Sequence, residues 1–145
     1  MNLTCPTTNQ QPELKELNRS FSYTAPAPGF STLEIDLSHS DAGVTPLYPT
    51  QNRTFGGKLF VCQQHSATAT SGWAGEYTII GVLDASSNLS AVYLSGLIGS
   101  CGPGTPPEVT VYVTSATAFT IKIYNTAYTG TIVGFIALEL GFERL

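Results

Sequence analysis

The stretch from residue 117 to residue 142 constrains the fold more than any other part of this 145-residue chain. Its first arm, 117–125, alternates between apolar and polar residues, which predicts a strand with one buried face. A turn at 126–130 leads into a second arm, 131–142, which is apolar on both faces. Its two apolar faces consist of Ile132, Ile136, Leu138 and Leu140 on one side, and Val133, Phe135 and Ala137 on the other. The pattern predicts a hairpin whose last strand needs cover on both sides.

The second cover for that last strand has two candidate sources. The chain itself supplies apolar side chains near its N-terminus, with Phe21, Tyr23 and Phe30 among them. A neighbouring subunit is the other source, and the sequence leaves both alternatives open. In the second case the interface with another subunit, or with another protein of the same assembly, is predicted to comprise Val133, Phe135, Ala137, Leu14, Leu17, Phe21 and Tyr23.

The remaining sequence predicts two parts. Residues 1–29 are predicted to form an N-terminal arm, because one or two helical turns at 12–17 are followed by the alternating prolines Pro26 and Pro28, which favour an extended path. Residues 30–145 contain about seven or eight short segments of strand character separated by turns, including a hairpin over 76–98. This pattern predicts an all-β fold, an antiparallel β-sandwich of jelly-roll type.

Composition and charge exclude several classes of function. Only 11% of residues are charged, the net charge is −4 and the pI is near 4.9. Phosphate neutralisation requires clustered Lys and Arg, so nucleic acid is not an expected partner. No run approaches the roughly 18 apolar residues of a membrane span, and the first residues lack the pattern of a signal peptide. We therefore expect synthesis in a cytoplasm and no membrane partner.

No motif of catalytic or cofactor chemistry stands out in the chain. His39 lies between aspartates in a strand-end loop, without the elbow motif that presents a nucleophilic serine. Cys62 and His65 have a spacing known from zinc sites, but Cys101 is the only further ligand in view and a fourth is lacking. We expect no enzyme activity, no cofactor and no metal. The odd number of cysteines predicts free thiols, with one disulfide between Cys62 and Cys101 if their strands lie side by side.

Aromatic residues in predicted loops offer a different role. Trp73, Tyr48 and Tyr128 all lie in such segments, and loop aromatics stack on sugar rings or anchor protein partners. These three residues form the predicted carbohydrate platform. Aromatic side chains that cover the ends of the sheets are the structural alternative.

The segment from Val109 to Leu138 carries a family resemblance. A Thr/Val strand, a Phe-Thr-Ile strand, an Asn-containing turn and a Gly-rich apolar strand follow one another. In this it resembles the terminal strands of virion proteins of tailed bacteriophages. With an N-terminal arm and a compact β body, the chain is similar to capsid decoration proteins. The resemblance implies a trimeric, non-enzymatic virion protein that binds the major capsid protein and stabilises the phage head. The alternative is a tail-fibre or baseplate module that recognises surface carbohydrate.

Overall fold

The fold is all-β, as predicted. The computed structural model describes residues 13–25, 29–37, 53–66, 69–84, 86, 88–125 and 130–142. Within them the strands are β1 (Glu13–Ala25), β2 (Phe30–Asp36), β3 (Arg53–His65), β4 (Trp73–Leu83), β5 (Leu89–Leu94), β6 (Gly99–Cys101), β7 (Glu108–Ser115), β8 (Ala118–Tyr124) and β9 (Gly130–Phe142). A 3-10 turn, Ala69–Ser71, precedes β4. No helix in the described part of the chain is long and apolar enough to cross a membrane.

The strands form two antiparallel sheets. The large sheet has the order β1-β9-β3-β4-β5, and β6 pairs with β4 beside this path. The small sheet has the order β2-β8-β7. The predicted antiparallel pairing is confirmed, and so is the hairpin over 76–98, which forms from β4 and β5. The strand order does not confirm the jelly-roll type.

One hydrophobic core joins the two sheets. Ile35, Ile121 and Ile123 of the small sheet are fully buried together with residues of β3, β4 and β9. Phe55 of the large sheet and Phe119 of the small sheet stack with ring centroids 6.3 Å apart. Because every second residue of a strand points to the same side, each sheet presents one face to this core and one face away from it.

The predicted hairpin between the two arms of 117–142 is wrong. The arms form β8 and β9 as expected, but β8 belongs to the small sheet and β9 lies between β1 and β3 in the large one. The chain therefore passes from one sheet to the other between them. The pairing of β9 is long on both sides, since it runs from Ala25 to Glu13 along β1 and from Phe55 to His65 along β3.

The N-terminal segment is part of the large sheet. The predicted helical turns are wrong for residues 13–17, which begin the 13-residue strand β1. The physical reason is a long-range partner: β9 offers a complete backbone ladder from Glu13 to Ala25, and this outweighs the weak helical signal of Leu14 and Leu17. The predicted boundary between residues 29 and 30 falls at the turn into β2, where Gly29 has a φ of 72°.

Candidate functional site: the outer face of the large sheet

The side of the large sheet that points away from the core is called the outer face here. Three neighbouring strands, β1, β9 and β3, each contribute 13 residues to the sheet. Residues paired across these strands lie in rows. One row contains Ser20, Phe135, Cys62 and Ala74, and the next contains Asn18, Ala137, Phe60 and Glu76. A third row contains Glu16, Glu139, Lys58 and Thr78.

An apolar patch occupies the centre of the outer face. It is defined by Phe60, Cys62, Val133, Phe135 and Ala137. The exposed fractions of Phe60, Val133 and Phe135 are 42%, 43% and 47%. These values are high for large apolar side chains at the centre of a sheet. The prediction that β9 is apolar on both faces therefore locates a real surface feature.

Residues 13–25, the described part of the N-terminal segment that pairs in the large sheet, do not cover this patch. Their strand, β1, pairs beside β9 in the same sheet and does not lie across the outer face. Phe21 and Tyr23 point into the core, where they are 7% and 6% exposed. Leu17 packs against the same core. Of the predicted interface, Phe21 and Tyr23 are thus buried, and Leu17 is half-buried against the core. Val133, Phe135 and Ala137 lie on the outer face, and the side chain of Leu14 lies outside the described residues.

A depression lies beside the apolar patch. It has a volume of about 310 Å³ and is bordered on the outer face by Glu16, Asn18, Lys58, Phe60 and Glu139, with the small Ala137 between them. Glu139 pairs directly with Glu16 on one side and with Lys58 on the other. The outer face therefore carries an apolar patch, an adjoining depression and a charged row in which Lys58 and Glu139 are of opposite sign while Glu16 and Glu139 are of like sign.

Two hydrogen bonds hold the end of β3 to neighbouring segments. The hydroxyl of Tyr23 donates to Oε1 of Gln63 at 3.0 Å, and burial raises the pKa of Tyr23 to about 12. The backbone N–H of His65 donates to Oγ of Ser71 at 2.7 Å. These contacts fasten the end of β3 to its neighbours, which is a structural role.

Trp73 does not form part of an exposed platform. It begins β4, points inward and is only 5% exposed. Its ring lies against Gly75, where an added Cβ would come within 2.4 Å of a ring carbon, and Leu97 borders the same space. The absence of a side chain at Gly75 makes room for the indole. Tyr48 and Tyr128, the other two members of the predicted platform, lie outside the described residues.

The cysteines of the large sheet are free. Cys62 on β3 pairs with Ala74 on β4, and Ala74 pairs with Cys101 on β6. Their strands are thus separated by β4, which puts the two Cα atoms roughly 10 Å apart, beyond the reach of a disulfide. Both thiols are free, and burial raises the pKa of Cys62. Since Cys62 points outward and His65 inward, these two do not converge on a metal, and no group of three metal-ligating side chains occurs among the described residues.

Sequence reasoning located β9 but missed its neighbours on the outer face. Phe60, Lys58 and Glu139 were not singled out. Phe60 alternates with the core residues Leu59 and Val61, which indicates an apolar outer position, but its proximity to Ala137 depends on the pairing of β3 with β9. That pairing joins residues far apart in sequence.

Two sheets around one core define the chain as an antiparallel all-β module. No protein-family model and no curated protein matches the sequence. Among solved structures, the tailspike protein of Acinetobacter baumannii phage AM24 aligns over 92% of this chain with a TM-score of 0.54 and 13% identity. The chain spans about a quarter, 26%, of that tailspike. The tailspike of Acinetobacter phage vB_ApiP_P1 aligns over 90% of the chain, and over 21% of its own length, with a TM-score of 0.36 and 19% identity. At these identities the first of them shows the fold.

Proposed function

We propose that this chain is a non-enzymatic structural module of a tailed-phage particle, located in the tail appendage. One observation carries the proposal: nearly the whole chain, 92%, has the fold of part of a phage tailspike. The virion resemblance of residues 109–138 points independently to a particle of the same kind. The head location expected from the resemblance to decoration proteins has no structural counterpart among these likenesses, so the tail is the better assignment.

The mode of action is binding through an exposed apolar surface. A large side chain such as Phe60 or Phe135 contributes about 1.5–3 kcal/mol when it is fully removed from water, before the cost of association is subtracted. The apolar patch presents three such side chains on a rigid sheet, so little conformational entropy is lost when a partner covers it. A module of this kind works as a subunit of a larger assembly. The trimeric state and the contact with a capsid protein that the family resemblance implies stay predictions.

Recognition of surface carbohydrate is the second candidate. The observation that favours it is the exposure of Tyr112 and Tyr93 on the outer faces of the small and large sheets. The burial of Trp73 removes one residue of the predicted platform. Binding of the intact protein to a glycan array, lost on Tyr112→Ala with the fold retained, would favour this function over a purely structural one.

Copy number in purified virions tests the structural proposal. Quantitative mass spectrometry of the particle, normalised to the major capsid protein, should find this protein in a few copies for each particle, as expected of a tail component. Gold-labelled antibodies should mark the tail in electron micrographs. Stoichiometry equal to that of the shell proteins would move the assignment to the head, and absence from the particle would refute a virion role altogether.

A further inference from the structure

The outer face of the large sheet is complementary to a second copy of itself. We propose that two copies of this chain pack through this face, with a twofold axis that runs along the ladder between β3 and β9. The inference deepens the proposed function, since it names the partner of the apolar patch, and it rests on that function only in treating the chain as a subunit of an assembly. At this face the twofold pair is an alternative to the trimer that the family resemblance implies, and a solution mass of three chains would contradict the pair.

The first step is the register of the ladder. Across it, Lys58 pairs with Glu139, Phe60 pairs with Ala137, and Cys62 pairs with Phe135. Every one of these pairs joins unlike side chains. The first combines a cation with an anion, and the other two each combine a large aromatic ring with a small side chain.

The second step is symmetry. A twofold axis parallel to the strands, placed between β3 and β9, lays β9 of the second copy over β3 of the first and reverses the roles at the same time. Each residue then faces the copy of its own ladder partner. Lys58 faces the second copy's Glu139, and Phe60 faces the second copy's Ala137. The reciprocal contacts form automatically, because a twofold interface repeats every contact.

The third step is shape. Ala137 lies in the depression of about 310 Å³ that Phe60 borders, and Phe60 is 42% exposed beside it. In the proposed pair, each Phe60 ring enters the depression over Ala137 of the other copy. Phe135 lies over the small Cys62 in the same way. Large side chains of each copy therefore contact small side chains of the other. At one end of the interface, Lys58 and Glu139 of each copy form two opposite-charge pairs with Glu139 and Lys58 of the other.

The fourth step is size. Thirteen residues of a strand extend about 43 Å, and four strands are about 19 Å wide, which gives a face of about 800 Å². Stable protein interfaces bury about 800 Å² on each partner. Two sheets that pack face to face keep their strands within about 30° of each other, which retains the residue-by-residue correspondence near the axis. An apolar patch alone would fit many partners. The pairing of Lys58 with Glu139 and of Phe60 with Ala137 makes the face complementary to itself, which favours a second copy over an unrelated partner.

The test uses complementary charge reversal. In a dimer of Lys58→Glu, the new glutamate at position 58 of one copy faces Glu139 of the other. In a dimer of Glu139→Lys, Lys58 faces the new lysine at position 139. Because like charges then meet, each variant alone should dimerise at least about tenfold more weakly than the wild type. An equimolar mixture of the two should recover dimers that contain one chain of each kind, because the acidic face then meets the basic face at both positions. Native mass spectrometry with one variant isotopically labelled identifies such mixed dimers.

A second pair of variants tests the apolar contacts. Phe60→Ser should weaken dimerisation by about tenfold or more, as expected for an aromatic residue at the centre of an interface. Phe30→Ser is the matched control, since Phe30 is exposed to a similar extent, 38%, but lies on the small sheet. Circular dichroism and thermal unfolding check that each variant is folded. Ala137→Arg, which fills the depression from an outward-facing position, gives the same readout if Phe60→Ser fails to fold.

Besides a solution mass of three chains, three results would overturn the proposal. They are a wild-type protein that stays monomeric at concentrations well above roughly micromolar, dimers that Phe60→Ser and Ala137→Arg leave unchanged, and charge-reversed variants whose mixture forms no mixed dimers. None of these results bears on the virion assignment, which copy number in particles decides separately. Likewise, the location of the protein in the particle does not test the dimer, which is tested by the mass of the protein in solution.

Discussion

Replacement of Trp73 by alanine tests whether the side chain is part of the core or part of a ligand-binding surface. The side chain is 95% removed from solvent, since its exposed fraction is 5%. A buried aromatic ring of this kind covers about 200 Å², and at about 25 cal/mol for each Å² this corresponds to about 5 kcal/mol as an upper value. Measured replacements of buried Trp or Phe by Ala cost about 3–5 kcal/mol. We expect Trp73→Ala to lower the free energy of unfolding by that amount.

Urea denaturation followed by far-ultraviolet circular dichroism measures this change directly. For a chain of this length, a loss of 3–5 kcal/mol corresponds to a melting temperature lower by about 10–15 °C. Protein concentration must be equal in all samples, because association adds to apparent stability. Tyr93→Ala is the matched control: Tyr93 lies on the same sheet but is 61% exposed, so its removal should cost less than about 0.5 kcal/mol.

The refuting result is equally specific. If Trp73→Ala costs less than about 1 kcal/mol, the indole does not have the buried packing against Gly75 that the structure shows. Loss of ligand binding in this variant would carry no information about a platform, because a destabilised core has the same effect. The exposed residue Tyr112 is the better position for a test of sugar binding.

Three further predictions follow from buried or constrained groups. Gly81→Ala should destabilise the fold by about 1–3 kcal/mol, because an added Cβ would lie 2.0 Å from the Phe55 ring. In a double-mutant cycle, Phe55→Leu should recover part of that loss in stability. Simple additivity of the two changes in unfolding free energy would contradict the contact. The pKa of Tyr23, raised to about 12, favours the neutral phenol in the fold, so its contribution to stability is present below pH 10.0 and is lost as the pH rises toward 12. Over that pH range, the unfolding free energy of Tyr23→Phe should fall less than that of the wild type. An equal fall in both proteins would contradict this prediction. Cys101 should react with a thiol reagent before Cys62, because Cys101 is exposed while burial raises the pKa of Cys62. Peptide mass mapping at successive times measures the order of reaction. A disulfide between Cys62 and Cys101 would contradict the geometry.

Strands were predictable from the sequence where one face alone is buried. The period-two alternation in β2, β7 and β8 gives both their positions and their inward residues. Their partners were less accessible, since the turn after β8 fits a hairpin as well as a passage to another sheet. The choice depends on β1 and β3, which take both edges of β9. Such pairing is decided by contacts between distant segments, and local patterns do not contain it.

The candidate surface was predictable in the same partial sense. The two-sided apolar pattern of β9 marked Val133 and Phe135 as residues that need a second cover, and both are exposed in the structure. Their role in an interface stays a prediction. Leu17, Phe21 and Tyr23 also follow a period of two, and that signal marks a strand within what was expected to be an arm. The glycines on either side of Trp73 favoured a loop, although one of them, Gly75, provides the space for its ring.

The pairing of Glu13 with Phe142 has a mechanical consequence. The first residue of β1 and the last residue of β9 lie side by side at one end of the large sheet. A force that pulls these two points apart acts across the ladder between β1 and β9 and opens its hydrogen bonds one after another, starting from that end. A force between Ala25 and Phe142, at opposite ends of the same ladder, would instead load all of its bonds together. Resistance to tension in this module therefore depends on the points at which the load is applied, and single-molecule stretching from these two pairs of attachment sites should give a lower rupture force for the first.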